Sequence, residues 1–188
     1  MYSLTTKFIE KEIPYTGAEL RSHFIYDCFD LLGDAAVAFL GPCRVDLGRM
    51  VDLEDVKRKS PIYSEKMVHF LAEFFGMDLS RLVLLQRLWV ALVFEELTKR
   101  KVGKDLRRIG DDLYDGKEKL SVSIATLTPV SGVIHLGVNI SSRNTPVPTR
   151  GLQDYGIDPV DFSQAILKAF AFEAESSARA TWKVRGVP

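Results

Sequence analysis

Only two of the 188 residues are cysteine, Cys28 and Cys43. That excludes a disulfide-stapled scaffold, and with only three histidines no zinc-type spacing can be assembled. No excess of one charge exists either: Lys plus Arg and Asp plus Glu both number 25. A neutral chain is a poor candidate for gripping nucleic acid through its phosphates, which needs a positive surface. The opening MYSLTTKFIEKEIPY has no basic segment followed by an apolar one, so no signal peptide is expected. The longest apolar-rich stretch, Leu79 to Leu97, is broken by Arg81, Gln86, Arg87, Glu95 and Glu96, so no membrane span is expected. A cytoplasmic protein is the expectation. Also missing are a P-loop, a glycine-rich dinucleotide fingerprint and a G-x-S-x-G elbow, as well as repeats and low-complexity runs.

What is present reads as one α+β domain spanning residues 1–188, with 46% apolar and 27% charged residues. Residues 2–10 read as a first strand, followed by a turn at Pro14-Tyr15-Thr16-Gly17. Leu20, Phe24, Ile25, Cys28, Leu31 and Leu32 recur at helical spacing, which predicts a helix over 18–31. Ala35–Leu40 and Cys43–Leu47 read as short strands. Met67, Val68, Phe70, Leu71, Phe74 and Phe75 predict a second helix from Ser64 to Gly76. A third, apolar nearly all round and therefore central, is expected from Leu79 or Ser80 to Lys101. Its terminal cations and Gly103 form the stop signal.

From there the period changes to two. Asp111–Tyr114, Lys119–Leu127 and Gly132–Ser141 read as strands, with Asp115-Gly116 as a turn. Residues 143–157 form a loop. A last helix opens at Asp158-Pro159 and runs to about Ala178, and 182–187 is an extended tail. Helices together with hairpin-type strands predict a mostly antiparallel or mixed central sheet with flanking helices.

Strand alternation supplies a candidate site. On the strand from Lys119, one face is Leu120, Val122 and Ile124, and the other is Lys119, Ser121, Ser123 and Ala125. On the strand from Gly132, one face is Ile134, Leu136, Val138 and Ile140, and the other is Val133, His135, Gly137 and Asn139. Antiparallel pairing would then make one aliphatic face, covered by the helix over 79–101. The opposite face, carrying Lys119, Ser121, Ser123, His135, Gly137 and Asn139, would suit a ligand floor, because small residues leave room and fixed dipoles orient. A plain solvated face is the competing reading. Arg21 and His23 lie beside the apolar stripe of the first helix and could lend a cation and an imidazole. His69, inside the second helix without a partner at a ligand spacing, reads as structural. Asp52, Glu54 and Asp55 are most simply a solvated segment.

The order of a long apolar helix, then Gly110-Asp111-Asp112-Leu113-Tyr114-Asp115-Gly116-Lys117-Glu118-Lys119-Leu120-Ser121, then Val133 to Ile140, resembles the catalytic domain of the biotin and lipoate protein ligases over roughly residues 80–142. That resemblance implies the same class II aminoacyl-tRNA synthetase-like fold. Asp111-Asp112 stands in place of the family's Asn-Asp pair, and Lys119 in place of its adenylate-contacting lysine. Gly137 and Asn139 fall on its later strand.

The implied activity is activation of a small carboxylic acid with ATP to an acyl-adenylate, and transfer to a lysine of an acceptor protein. Lys119 would be the catalytic cation, and Asp112 with Asp111 would hold Mg²⁺ or a nucleotide group. Val122 replaces a family glycine, and Gly41-Pro42-Cys43-Arg44 with Gly48-Arg49 stands where a Gly/Arg-rich loop would be. These departures favour the alternative of a non-catalytic small-molecule or nucleotide binder on the same fold. An oligomeric structural protein, such as a homodimer, is the third reading.

Nearly end to end, the chain is also similar to an uncharacterised archaeal and bacterial family catalogued as domain of unknown function 366. The likeness rests on Leu20-Arg21-Ser22-His23, Gly33-Asp34, Arg108 to Tyr114, Lys119 to Thr126 and Gly156-Ile157-Asp158-Pro159.

Overall fold

Two long strands, β2 (Ala35–Val45) and β3 (Ile62–Phe75), organise the molecule. They appear in a computed structural model that describes residues 3–187. Together with β1 (Thr5–Ile9), β7 (Ser121–Leu127) and β8 (Ser131–Asn139) they form a five-stranded mixed sheet ordered β1-β2-β3-β8-β7. Only the β1–β2 pair is parallel. The intervening strands β4 (Leu106–Ile109), β5 (Asp112–Asp115) and β6 (Glu118–Lys119) make a separate three-stranded sheet. The predicted α+β class with a mixed sheet and flanking helices is therefore observed. The first strand falls inside the predicted 2–10 range, of which Tyr2 lies outside the described residues.

One layer of helices covers one sheet face. Helix α3 (Leu79–Lys99) starts where the Asp78 carboxylate accepts the Arg81 N–H, and α4 (Pro159–Trp182) where Asp158 accepts the Asp161 N–H. Leu82, Gln86, Trp89, Val90, Val93 and Leu97 form a single buried stripe on α3, while Leu84 is exposed. The helix is thus a cover on the sheet and not the central element its composition suggests. Trp89 stacks on Phe170 of α4 at 4.1 Å, and both close over Ala36, Ala38, Val68, Phe70, Ile134 and Leu136. The last helix reaches Trp182, so the tail expected from that residue begins one residue later.

Two predicted helices are corrected. Residues 62–75 form a central strand: both its faces are buried, so alternation is lost and its apolar residues mimic a helical stripe. The even residues Val68, Phe70, Ala72 and Phe74 face the helices, and the odd residues Met67, His69, Leu71 and Glu73 face the other way. Over 18–31 only α1 (Phe24–Phe29) is helical, entered through His23 at φ 59°. The apolar residues there pack from turns: Leu20, Phe24, Ile25, Phe29 and Leu31 cover the odd face of the sheet beside Tyr15 and Phe39. The short strands predicted at 35–40 and 43–47 are one strand with a bulge between Gly41 and Cys43.

Candidate functional site

The odd face of the sheet is only partly covered by the N-terminal turns, and the remainder is a cavity of about 510 Å³. Its lining includes Met67, Val122, Ile124, His135 and Asn139 of the sheet, and Tyr15 and Leu20 of the N-terminal turns. The β2–β3 connection contributes Arg49 and α2 (Leu53–Arg58), which is capped by Asp52. Asp111, Asp112, Tyr114, Lys117 and Lys119 come from the small sheet, and Thr145 to Thr149 from the loop before α4.

The pairing register decides which predicted residues meet there. Ser121 lies opposite Val138 and Val122 opposite Gly137, and opposed residues share a face. The predicted polar face is therefore split. His135, Gly137 and Asn139 share their side with Val122 and Ile124, whereas Ser121 and Ser123 turn toward α3. Ser121 is fully buried and its hydroxyl accepts the Leu113 N–H at 2.9 Å. The Ser123 hydroxyl accepts from Gln86 Nε2 at 2.8 Å and donates to the Asp111 carbonyl at 3.0 Å. Ser123 borders the cavity, but its hydroxyl is engaged with α3 and the strand start.

Gly137 is not a space for ligand: a Cβ there would sit 2.8 Å from the Met67 methyl, so the room it leaves is filled by Met67. Asn139 lines the cavity and donates Nδ2 to the Lys119 carbonyl at 3.3 Å. Arg21 and His23 are placed outside the cavity lining. Arg21 pairs with Asp27 and sits over Phe24, and the His23 N–H donates to the buried Glu73 while its ring stacks on Phe75.

Lys119 and Asp112 stand on adjacent strands of the small sheet, with Nζ 2.7 Å from Oδ2. Burial works against the Lys119 ammonium, but Asp112 more than offsets it and holds its pKa above the ordinary lysine value. The backbone of Lys119 is tied to the opposite wall: its N–H donates to the Pro148 carbonyl, and its carbonyl accepts the Arg150 N–H. Asp111 is turned to α3, where Arg87 lies 3.1 Å from Oδ1 and Gln86 donates to Oδ2. Both aspartates are thus already engaged, and among the described residues no three His, Cys, Asp or Glu are grouped to hold a metal ion. The chain's own residues do not fit a resident Mg²⁺.

On the sheet itself lies a cluster that sequence reasoning missed. His69 Nδ1 is 3.0 Å from His135 Nε2, and His69 Nε2 is 3.2 Å from the Gly41 carbonyl. Tyr15 stacks on His135 at 3.7 Å between ring centroids, 10° from parallel. Burial pushes the His69 pKa down to about 4, and burial together with His69 holds His135 well below the ordinary value. Burial likewise raises Tyr15, and it takes the Cys43 thiol up to about 12, which makes Cys43 an inert packing group. The signal for this cluster was available only through β3. Once 62–75 is a strand, His69 sits opposite Gly137, diagonal to His135.

Comparison with known proteins places these features in context. Residues 4–185 match the family described as Domain of unknown function (DUF366). An uncharacterized protein of Methanocaldococcus jannaschii is 39% identical over 160 residues, covering 82% of this chain and 72% of the relative. A solved structure of a protein of unknown function from Pyrococcus horikoshi superposes with a TM-score of 0.93 at 38% identity, covering 99% of this chain and 100% of the other. The biotin protein ligase of Aquifex aeolicus, in complex with biotin and ATP, superposes with a TM-score of 0.56 at 18% identity, covering 88% of this chain and 68% of that one. The resemblance expected from residues 80–142 thus extends over most of the chain as a fold shared with the biotin and lipoate protein ligases. Among the described residues no helix is long and apolar enough to cross a membrane.

Proposed function

Because the chain belongs to the DUF366 family and has the fold of the biotin and lipoate protein ligases, we propose that it binds a small carboxylic acid in this cavity and activates it with ATP to an acyl-adenylate. The observation that carries the reading is the Lys119–Asp112 pair on the cavity wall. One ammonium N–H is taken by Asp112, which aims the group and leaves two donors for carboxylate or phosphate oxygens. Arg49 and Lys117 also line the cavity and supply further cations for phosphates, whereas Arg58 is paired with Glu54 and the same wall carries Asp52 and Asp55. In the reaction a carboxylate oxygen attacks the α-phosphorus and pyrophosphate leaves. The amine of an acceptor-protein lysine then attacks the acyl carbon, the acyl–phosphate bond breaks, and AMP leaves as the amide forms. A divalent ion would enter with the nucleotide, since Asp111 and Asp112 are committed elsewhere.

A second reading, a binder without the activation step, is favoured by Val122. Its side chain lines the cavity, at the position where the resemblance to the ligases implies a glycine.

A thermal-shift screen with Mg²⁺-ATP, AMP, biotin, lipoate and octanoate tests both. A ligand at 100 times its Kd adds about 2.7 kcal/mol, which is a shift of roughly 2–4 °C per kcal/mol for a chain of this size. A shift with one acid, lost in Lys119→Ala and accompanied by acid-dependent ATP–pyrophosphate exchange, supports the ligase reading. A shift without exchange selects the binder, and no shift with any of them rejects both.

A further inference from the structure

Tyr15 and His135 are each only 3% exposed, and both line the cavity. Neither the Tyr15 hydroxyl nor His135 Nδ1 has a hydrogen-bond partner among the described residues. Yet neither is sealed from solvent, because the sole sealed and partnerless side-chain N or O atom among those residues is Trp89 Nε1. Two polar atoms on stacked rings of cavity-lining residues therefore keep solvent access without a hydrogen-bond partner, on side chains otherwise buried in an apolar cluster with Phe39, Met67 and Leu71. Buried polar groups are normally paired, so an unpaired couple facing a cavity points to a ligand or an ordered water as the missing partner.

The hydrogen-bond direction along the cluster is fixed from its far end. The Gly41 carbonyl can only accept, so His69 Nε2 carries a proton. The 3.0 Å contact between the imidazoles needs one donor and one acceptor, and only one proton fits between them. With His69 neutral in its buried site, its Nδ1 accepts and His135 Nε2 donates. His135, neutral in turn, is left with a lone pair on Nδ1.

We infer that the Tyr15–His135 wall is a subsite for the uncharged polar head of the ligand, one that donates an N–H or O–H to His135 Nδ1 and accepts from the Tyr15 hydroxyl. A cyclic amide, urea or lactam edge, with donor and acceptor side by side, has this chemistry. An anionic group does not, because it meets a lone pair and no cation at this point. His69 is a positioning residue: it touches no ligand but sets which nitrogen of His135 is bare. The inference rests on the cavity being a ligand site, as proposed above. Its test reads His135 and not Lys119, so it can fail while the acid site stands, and the reverse.

The chain has three histidines, which makes the experiment direct. Long-range proton–nitrogen correlation on the ¹⁵N-labelled full chain at neutral pH should show His69 and His135 protonated on Nε2 alone. Titration with 2-piperidone, a cyclic amide with one N–H, should then move the His135 Nδ1 resonance. N-methyl-2-piperidone, lacking the donor, should bind about tenfold more weakly, and butyrate should leave the resonance in place. Tyr15→Phe, which deletes one oxygen, should weaken the 2-piperidone response while preserving the tautomer. A proton on His135 Nδ1 would overturn the inference. So would equal responses to all three probes, no response to any, or a response unaltered in Tyr15→Phe.

Discussion

His69 and His135 share a single proton across a 3.0 Å contact between β3 and β8, with the chain of donors ending on the Gly41 carbonyl. Among the described residues no carboxylate is hydrogen-bonded to either ring. The groups around them are Tyr15, Phe39 and each other, so a positive charge on the pair would be uncompensated.

Acid should therefore destabilise the fold before the carboxylates titrate. Both folded-state values lie below the unfolded histidine value near 6.5: His69 falls to about 4 and His135 lies well below the ordinary value. Above that value neither state is protonated and the histidines do not affect the pH dependence. As pH falls through 6.5, the unfolded chain takes up protons that the native state refuses. Stability then drops by about 1.4 kcal/mol per pH unit per histidine until the folded groups titrate. Urea midpoints at pH 7.5, 6 and 5 check this. A midpoint that holds steady or rises toward pH 5 would mean that an imidazole is already charged in the native protein.

Lys119→Ala should cost more than an ordinary surface change, which stays within about 0.5 kcal/mol. Removing the ammonium leaves the Asp112 carboxylate partly buried and unpaired, a loss of about 1–3 kcal/mol. Asp112→Asn in the same chain should restore much of it, because an amide needs no counter-charge. A double-mutant cycle in urea measures the coupling. If the double variant were no more stable than Lys119→Ala alone, the pair would not hold the charge as described.

Ser123 distinguishes a structural hydroxyl from a ligand contact. Its Oγ joins Gln86 on α3 to the Asp111 carbonyl, so Ser123→Ala strands a buried amide donor and should cost about 1–2 kcal/mol. Any ligand found in the cavity should keep its affinity within about twofold, since no ligand bond is removed. Isothermal titration together with a melt separates the two effects. A large affinity loss at unchanged stability would return Ser123 to the binding surface.

The second half of the chain was largely legible, for a physical reason. The strands β7 and β8, α3 and the start of α4 carry local signals: period-two alternation, the Asp158 cap, and Pro159 at the first helical turn; the strand read over 119–127 is however divided between two sheets, β6 and β7, and β4 was not read at all. The α+β class followed from these signals, while the family likeness rested on the residues themselves, such as Arg108 to Tyr114 and Lys119 to Thr126. What was not legible was anything set by pairing across the sheet. Ser121 and Ser123 alternate correctly along β7, but their face relative to β8 depends on the register, which places Val122 and not Ser121 opposite Gly137. His69 was lost with β3, whose two buried faces erase alternation, and Tyr15 was hidden in what reads as a polar turn. Lys119 and Asp112 were singled out through the resemblance to the ligases, and a short hairpin brings them together.

Gly41, on whose carbonyl the imidazole chain ends, has no room for a side chain. A Cβ at this position would lie 2.0 Å from the Ile13 carbonyl oxygen and 2.7 Å from its carbon, both backbone atoms of the segment leading to Tyr15. Ile13 donates its N–H to the neighbouring Leu40 carbonyl, so it is held close and cannot yield without breaking that bond. Gly41→Ala should therefore cost about 3 kcal/mol or more, at the upper end for overpacking. It should also displace Tyr15 from His135, altering the His135 nitrogen resonances. Gly48→Ala is the control, since a Cβ there meets nothing within 4 Å; it should change stability by less than about 0.5 kcal/mol. Equal urea midpoints for the two variants would show that the contact with Ile13 is not tight, and that the acceptor closing the His69–His135 chain is free to move.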